Sequence, residues 1–196
     1  MNCLRHYCIQ LDFASHKIRF LDPIHSESKS SVEKFPLTYG FFDGIPSVRA
    51  NFFGQSNARW EIDTGLSEAD VAVTPKQLWE LQKQTSGQFI SSMQYKSTNG
   101  SANETFHFSH KIIFNNETCT NFIWRDAPGE NLIGLRFLSR YLTTLNFPKR
   151  TMYLEHSNAG SFADSDGITN FTGNVFAYDF LYTFVPKAEK FLVHLG

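Results

Sequence analysis

Cysteine is scarce in this chain, which contains three copies in 196 residues: Cys3, Cys8 and Cys119. They are too few and too irregularly spaced to form a disulfide framework. Buried free cysteines behave as small hydrophobic side chains, and we predict that role for them instead of a redox role. At this length the chain suits one domain with extensions and is long enough to bury a core.

Net charge and long apolar runs are lacking as well. The formal net charge is -1, which gives no electrostatic reason to expect a nucleic acid or an anionic membrane as partner. No charged and then apolar segment of the signal-peptide type opens the chain, and no apolar run approaches the length of a membrane span. The compartment stays open, and a secreted or periplasmic location is compatible with a longer parent protein.

The motifs of several common chemistries are also missing. The chain has no glycine-rich phosphate loop, no Gly-x-Ser-x-Gly elbow and no cysteine and histidine pattern of a nucleophile. His107 and His110 are three residues apart on a predicted strand, so they point to opposite faces and make a poor metal pair. Residues 164–167 begin like a calcium loop, but Val175 stands where the closing acidic residue is expected. We therefore expect no metal and no cofactor.

Phenylalanine, in contrast, is abundant, with 20 copies. Phe fits the pleated, half-buried surfaces of strands, and short alternating segments bounded by turn residues recur along the chain. These features predict an all-β fold. One short helix is predicted to begin at Thr74-Pro75, where Thr caps and Pro takes the first helical position, and to end at Ser86-Gly87.

Asp63 follows an alternating strand that ends at Ile62 and stands at the start of a tight turn. A carboxylate in this position is presented at the end of the strand instead of being paired within it. Thr64 places a hydroxyl beside the carboxylate, Gly65 gives the backbone freedom that a turn needs, and Ser67 adds a second hydroxyl. Asp-Thr-Gly alone is also compatible with an ordinary turn, so the interpretation depends on a second motif.

That second motif is Leu132-Ile133-Gly134, which is followed by a short helical turn and by a hairpin of two alternating strands that extends to Leu154. The two motifs, in this order, resemble the retropepsin-like aspartic proteases of the pepsin and retropepsin clan over roughly residues 35–156. In that family a strand bears Asp-Thr-Gly, and a later apolar-apolar-Gly strand crosses behind the active-site loop. One departure is Leu66, where the family usually has Ala.

The resemblance implies a closed all-β acid-protease barrel with one short helix and a carboxy-terminal extension. It implies Asp63 as the catalytic residue, Thr64, Gly65 and Ser67 as the active-site loop, and Leu132, Ile133 and Gly134 as its support. A long hairpin predicted at 88–114, with a polar tip, lies where the family places its flap. The flap candidates are Tyr95, Lys96, Ser97, Thr98, Asn99 and Gly100, and a plain surface hairpin is the alternative.

The amino-terminal segment repeats the later hairpin. Leu4, Tyr7, Leu11 and Phe13 recur without a gap as Leu138, Tyr141, Leu145 and Phe147. The chain therefore contains the closing hairpin of the fold twice. We predict that residues 4–20 form a hairpin that packs on the sheet edge containing residues 145–154, from the same chain or from a neighbour.

These patterns divide the chain into four parts. Residues 1–23 are predicted to be the closing hairpin of a missing upstream lobe, as in a longer two-lobed, bacterial-type aspartyl protease-like protein. A linker is predicted over residues 24–36 because they are rich in Ser and charge and lack periodicity. The retropepsin-like domain covers 37–156, and an extension covers 157–196 and ends in a short amphipathic helix over 186–195.

The function favoured by these observations is hydrolysis of peptide bonds in a peptide or protein substrate, as in an aspartic endopeptidase. That chemistry needs two carboxylates sharing one proton, and the chain has one Asp-Thr-Gly. The second Asp must come from a homodimer partner or from a missing amino-terminal lobe. The alternatives are a catalytically silent lobe that binds extended peptides, which Leu66 favours, and a module that mediates assembly.

Overall fold

The computed structural model describes residues 4–23, 32–40, 44–53, 55–67, 69–75, 77, 88–97, 100–127, 129–156 and 192–194, and for 55–56, 88–97, 100–104 and 192–194 it describes the backbone only. The strands are β1 (Cys8–Asp12), β2 (Lys17–Leu21), β3 (Glu33–Pro36), β4 (Thr38–Tyr39), β5 (Pro46–Phe52), β6 (Gln55–Ile62), β7 (Val71–Val73), β8 (Gln88–Ser97), β9 (Gly100–Phe114), β10 (Glu117–Asp126), β11 (Leu132–Ile133), β12 (Tyr141–Asn146), β13 (Thr151–His156) and β14 (Leu192–His194). A 3-10 turn covers Leu4–His6, and helix α1 covers Leu135–Leu138.

The all-β class predicted from the sequence is confirmed, because strands form nearly all the regular structure of the described residues. The short helical turn expected after Gly134 is also present, as α1. Within the described part of the chain, no helix is long and apolar enough to cross a membrane. The helix predicted from Thr74-Pro75 to Ser86-Gly87 falls mostly on residues 78–87, which lie outside the described residues.

The larger sheet closes on itself. Its eight strands follow the order β4-β5-β6-β11-β7-β10-β9-β8, and β5 also pairs with β9 through Phe52 and Phe114. The Phe53 amide donates to the Ile113 carbonyl at 2.9 Å beside that pair. Strands β5, β6, β11, β7, β10 and β9 therefore form a ring, with β4 and β8 outside it. Closure satisfies backbone groups that would otherwise lie at open edges.

Aromatic rings fill the core that this ring encloses. The ring centroid of Phe52 lies 4.4 Å from that of Trp60 and 4.6 Å from that of Phe114, and Phe137 of α1 lies 5.0 Å from Phe52. All four side chains are buried. Burying each contributes about 1.5–3 kcal/mol as an upper bound, so the abundant phenylalanine predicted to favour strands also supplies the interior.

The smaller sheet contains the repeat. Its order is β14-β2-β1-β12-β13-β3. Strands β1 and β2 form the predicted hairpin, and β1 pairs antiparallel with β12 of the same chain, so that Ile9 lies opposite Leu145. The prediction that residues 4–20 pack on the edge of the later hairpin is confirmed. Whether residues 1–23 belong to a further lobe stays a prediction.

A local two-fold relation follows from the register of this sheet. Gln10 lies opposite Thr144, its own equivalent in the repeat, and donates a hydrogen bond to the Thr144 hydroxyl at 3.2 Å. The pairing of β1 with β2 and that of β12 with β13 have the same register once the repeat offset is applied: Cys8 faces Leu21, and Leu142 faces Glu155. The two hairpins of this one chain therefore meet in the same way as equivalent hairpins of two symmetry-related molecules would.

Two boundaries differ from the sequence-based prediction. Residues 192–194 form strand β14 on the edge of β2, so the helix predicted over 186–195 is wrong there; the rest of that span and residues 157–191 lie outside the described residues. Residues 33–36, predicted as the end of the linker, form β3. They pair with β13 and bury Phe35, which local composition does not reveal.

The cysteine prediction is confirmed for the two copies that are described. Cys8 and Cys119 are buried thiols that are not part of a disulfide bond. Burial raises the pKa of the Cys119 thiol to about 11, although the nearby Arg140 acts in the opposite direction. A thiol with so high a pKa is a poor nucleophile at neutral pH. Cys3 lies outside the described residues.

Candidate active site

Asp63 stands directly after β6, in the short loop that connects β6 with β7. Its side chain is half-buried, and Thr64 and Gly65 are exposed. Within the described residues the Asp63 carboxylate accepts one hydrogen bond, from the Gly65 amide to Oδ1 at 2.8 Å. The carboxylate is therefore presented at the end of the strand, as the sequence predicts, with its second oxygen available for another partner.

The need for glycine at position 65 has a different cause from the one expected. Gly65 is not among the residues with a left-handed backbone. A Cβ at this position would lie 3.1 Å from Asp63 Oδ1, which is closer than most such contacts. Glycine therefore allows the close approach of its own amide to the carboxylate, so the requirement is one of space and not of a left-handed backbone.

Strand β11 holds the loop from behind. Leu132 and Ile133 pair in parallel with Glu61 and Ile62 of β6. The Asp63 amide then donates to the Ile133 carbonyl at 3.0 Å. Because the backbone of Asp63 is bonded to a buried neighbouring strand, the position of its carboxylate is set by the sheet and not by the turn alone.

Gly134, the next residue after β11, also contacts the Asp63 loop. Its amide donates to the Asp70 carbonyl at 2.9 Å, and the Leu135 amide donates to the Leu66 carbonyl at 2.7 Å. A Cβ on Gly134 would lie 2.4 Å from the Ala69 carbonyl oxygen and 2.6 Å from that of Leu66. No other residue fits there without moving the loop backbone. The two sequence motifs are therefore in direct contact, and both ends of the Asp63 loop are fixed by residues 133–135.

Leu66, the departure from the resembling family, points into the interior. Its side chain is 1% exposed and belongs to a second apolar cluster with Ala69, Phe106 and Ile123. The extra volume relative to Ala is therefore accommodated by the core. Ser67, the last residue of the predicted loop, is half-buried.

The flap prediction is described in part. Tyr95, Lys96 and Ser97 lie at the end of β8, and Gly100 begins β9. Ser97 pairs with Gly100, so the two strands do form the long hairpin expected from the sequence. Thr98 and Asn99, the predicted tip, lie outside the described residues. The backbone shows a hairpin, and its role as a flap stays a prediction.

Sequence reasoning missed a buried ionic cluster next to the loop. Asp70 is fully buried, and its carboxylate accepts hydrogen bonds from Arg140 Nε at 2.8 Å, Arg136 Nε at 3.2 Å and the Ile123 amide at 2.8 Å. Arg140 also donates to the carbonyls of Thr120 and Asn121. Removing one partner from a buried pair of this kind costs about 3–5 kcal/mol.

This cluster ties three elements together, because Asp70 precedes β7, Ile123 belongs to β10 and the two arginines belong to α1 and the turn after it. A usable signal was present in the sequence. Arg136 and Arg140 stand four residues apart in an otherwise apolar stretch, which places two cations on one face of a helical turn. Their partner could not be identified from spacing, since Asp70 is 66 residues before Arg136.

A metal centre is not formed by the described residues, which include no group of three or more His, Cys, Asp or Glu side chains that could hold an ion. The two histidines judged a poor pair differ in environment: His110 is exposed, whereas His107 stacks on Trp124 with ring centroids 4.0 Å apart. Burial lowers the pKa of His107, and the nearby Asp126 opposes that effect. His107 is therefore a packed aromatic ring in this structure.

Comparison with known proteins finds a likeness to solved structures and none to a family model or a curated protein. Among solved structures, the chain is similar to a retropepsin-like aspartic protease from Rickettsia conorii, with 17% sequence identity, a TM-score of 0.46, and coverage of 64% of this chain and 100% of that chain. A likeness at this identity and score does not show what the chain does.

Proposed function

We propose that this chain is the lobe of an aspartic endopeptidase and that Asp63 supplies one of its two catalytic carboxylates. The observation that carries the proposal is the contact between the two motifs. The Asp63 amide is bonded to Ile133, and Gly134 packs on the backbone of the same loop. A half-exposed carboxylate is thus held on a rigid strand end, which is what positioning an attacking water requires.

The proposed chemistry divides two roles between a pair of carboxylates. Like charges at short distance cannot both ionise, so the pair shares one proton. The ionised partner takes a proton from water, and the protonated partner donates to the carbonyl oxygen of the scissile peptide. The apparent pKa values then belong to the pair and not to either Asp. Asp63 provides one member, with its Oδ2 available.

The second carboxylate is proposed to come from across the local two-fold axis between Gln10 and Thr144. A second copy placed across this same axis would have to pair its own β12 with β12 of the first copy. In this chain that edge is already paired with β1. We therefore favour one of the two possible sources of the second Asp. A lobe whose closing hairpin is β1–β2 fits the occupied edge of β12, whereas a second copy of the same domain does not.

The test is Asp63→Asn in the full-length gene product, assayed for cleavage of an unfolded protein between acid and neutral pH. We expect turnover to be abolished and the melting temperature to stay nearly unchanged, because the replacement is close to isosteric and the carboxylate is only half-buried. Glu130→Gln, which neutralises an exposed carboxylate two residues before β11, is the matched control and should retain activity. Equal activity in the Asp63 variant would overturn the assignment.

Two further outcomes separate the remaining parts of the proposal. If the chain alone cleaves substrate and has twice the monomer mass in solution, the second Asp comes from a homodimer, and the β1–β2 argument fails while the Asp63 assignment stands. If the wild-type full-length product cleaves nothing but binds an extended peptide, the silent binding lobe is the correct alternative.

A further inference from the structure

A cavity far in sequence from Asp63 lies where the 3-10 turn, β4 and the turn between β12 and β13 meet. Its volume is about 640 Å³, within the range of small-molecule sites. Leu37, Phe147 and Pro148 give it an apolar wall, Tyr39 lies between them, and Arg5 and Arg150 complete the lining. Tyr39 is half-buried, whereas both arginines are exposed.

The two guanidinium groups converge on the same aromatic ring. The Cζ atoms of Arg5 and Arg150 each lie 5.9 Å from the ring centroid of Tyr39. The two cations can therefore be no farther apart than twice that distance. A tyrosine ring attracts each cation, but it carries no charge that could neutralise either of them.

The cavity has no anionic group among the described residues. Neither Arg5 nor Arg150 forms a side-chain hydrogen bond or ion pair within the part of the chain that the structure describes. The Tyr39 hydroxyl donates to the Phe147 carbonyl at 3.5 Å. Burial raises the pKa of Tyr39 although both arginines oppose this effect, so the phenol is neutral at pH 7. Two like charges thus face one cavity, an arrangement that an anion would stabilise.

We propose that this cavity binds an oxyanion, a carboxylate or a phosphate group, held between Arg5 and Arg150. The planar guanidinium presents paired N–H donors that match both groups. The cation–π contacts with Tyr39 keep the two arginines over the cavity, and the apolar wall accommodates the body of a ligand that carries the anion. The site is independent of Asp63 and of the proposed peptidase activity.

A structural consequence follows from where the two arginines stand. Arg5 belongs to the segment that leads into β1, whereas Arg150 belongs to the turn between β12 and β13. The Leu37 amide also donates to the Arg150 carbonyl at 2.8 Å, so that side of the cavity is anchored to the domain. A bound anion would therefore connect the amino-terminal hairpin with the later one and stabilise the sheet by mass action.

The experiment titrates the protein with two probes, inorganic phosphate and citrate, at constant ionic strength in chloride buffer, by calorimetry and by thermal melting. We expect binding of at least one probe with a Kd on the order of 1 mM or below, a range permitted for ligands of this size. Binding should raise the melting temperature. Phosphate binding without citrate binding would indicate a phosphate-bearing ligand, and the converse would indicate a carboxylate.

Variants make the assignment specific. Arg5→Gln and Arg150→Asn should each weaken binding by about tenfold or more, since each removes charge-assisted hydrogen bonds. Asn is chosen because Arg150 has a left-handed backbone, with φ of 49°, which Asn tolerates better than most residues. Arg150→Lys keeps the positive charge but loses the paired N–H donors of the guanidinium, so its affinity should lie between that of the wild type and that of Arg150→Asn. Arg49→Gln, at an exposed arginine on β5, is the matched control and should bind like wild type.

Two results would overturn the proposal: no binding of either probe by the folded wild type, or equal binding by the wild type and the Arg5 and Arg150 variants. Melting curves in the absence of oxyanions report whether each variant folds. If substitution at Arg150 prevents folding of the turn, the Arg5 variant alone still tests the proposal.

Discussion

The hairpins β1–β2 and β12–β13 are two versions of one structure in the same sheet. In both turns a side-chain oxygen accepts from the amide three residues later at 3.0 Å: Asp12 from Ser15, and Asn146 from Lys149. In both, a residue with a left-handed backbone follows, His16 with φ of 53° and Arg150 with φ of 49°. The turn geometry is thus conserved between the halves although the residues differ.

The difference between them lies in burial and charge. Every residue of β2 is half-buried, whereas β13 alternates and buries Met152 and Leu154. Asp12 forms an ion pair with Arg19 at 2.6 Å, and its equivalent Asn146 is fully buried and donates to the Pro23 carbonyl at 3.2 Å. The comparison teaches that local turn chemistry sets the hairpin, while the covering elements decide how much of it contributes to the core.

The largest effect should come from deleting residues 1–23. Removal of β1 and β2 leaves β12, a central strand with buried Thr143 and Leu145, as an unpaired edge. Exposed edges of this kind promote aggregation, so we expect a large loss of soluble, folded protein, measured by size-exclusion chromatography and circular dichroism. A synthetic peptide of residues 4–23 added in trans should restore solubility.

If the deletion variant were instead monomeric with an unchanged melting temperature, the first hairpin would be dispensable, and the two halves of the sheet would not form one cooperative unit. A peptide with the sequence of 4–23 scrambled is the control for the rescue.

Matched truncations of the two halves come next. Leu11 and Leu145 are equivalent in the repeat, are 6% and 5% exposed, and lie in the same apolar cluster. Leu→Ala at a buried site costs about 2–5 kcal/mol. We expect both variants to fall in this range in urea denaturation with single, coincident transitions. A cost near zero for Leu11→Ala alone would show that the first hairpin unfolds separately from the domain.

The smallest effects should come from exchanging the turn residues. Asn146→Asp removes the donor to Pro23 and buries a carboxylate, so it should cost about 1–3 kcal/mol. Asp12→Asn keeps the turn acceptor and loses an ion pair whose side chains are only partly exposed, 31% for Arg19 and 16% for Asp12, so it should cost roughly 0–1 kcal/mol at neutral pH. Chemical denaturation at pH 7 measures both, and a larger cost at Asp12 than at Asn146 would contradict the comparison.

The stability of the Asp12 variant should also differ from that of the wild type in its dependence on pH. Burial acts to raise the pKa of Asp12, but hydrogen bonds from Ser15 and Arg19 outweigh it, so the folded-state pKa is lowered from 3.8. The stabilisation is therefore present above the unfolded pKa and is lost as pH falls through the folded value. Asp12→Asn should flatten the decline in stability below about pH 4. A parallel decline in wild type and variant would show that Asp12 does not contribute.

The sequence by itself determined the local features. Alternation predicted the strand before Asp63, and the resemblance that the two motifs carry implied that Ile133 and Gly134 would lie behind the Asp63 loop. A Cβ-free position is needed there because two backbones approach closely. The repeat predicted that residues 4–20 would find the edge of the later hairpin, since the same apolar pattern must bury the same face.

Tertiary structure alone decided the features that depend on partners far apart in the chain. The closure of β5 on β9, the choice of Asp70 as the buried partner of Arg136 and Arg140, and the convergence of Arg5 and Arg150 on Tyr39 have no signature in local periodicity. Residues 192–194 belong to a segment, 186–195, whose amphipathic pattern suits a helix, yet they pair as a strand with β2. The physical reason is the same in each case: backbone pairing, ion pairs and apolar contacts between distant segments outweigh local preferences of a few tenths of a kcal/mol per residue.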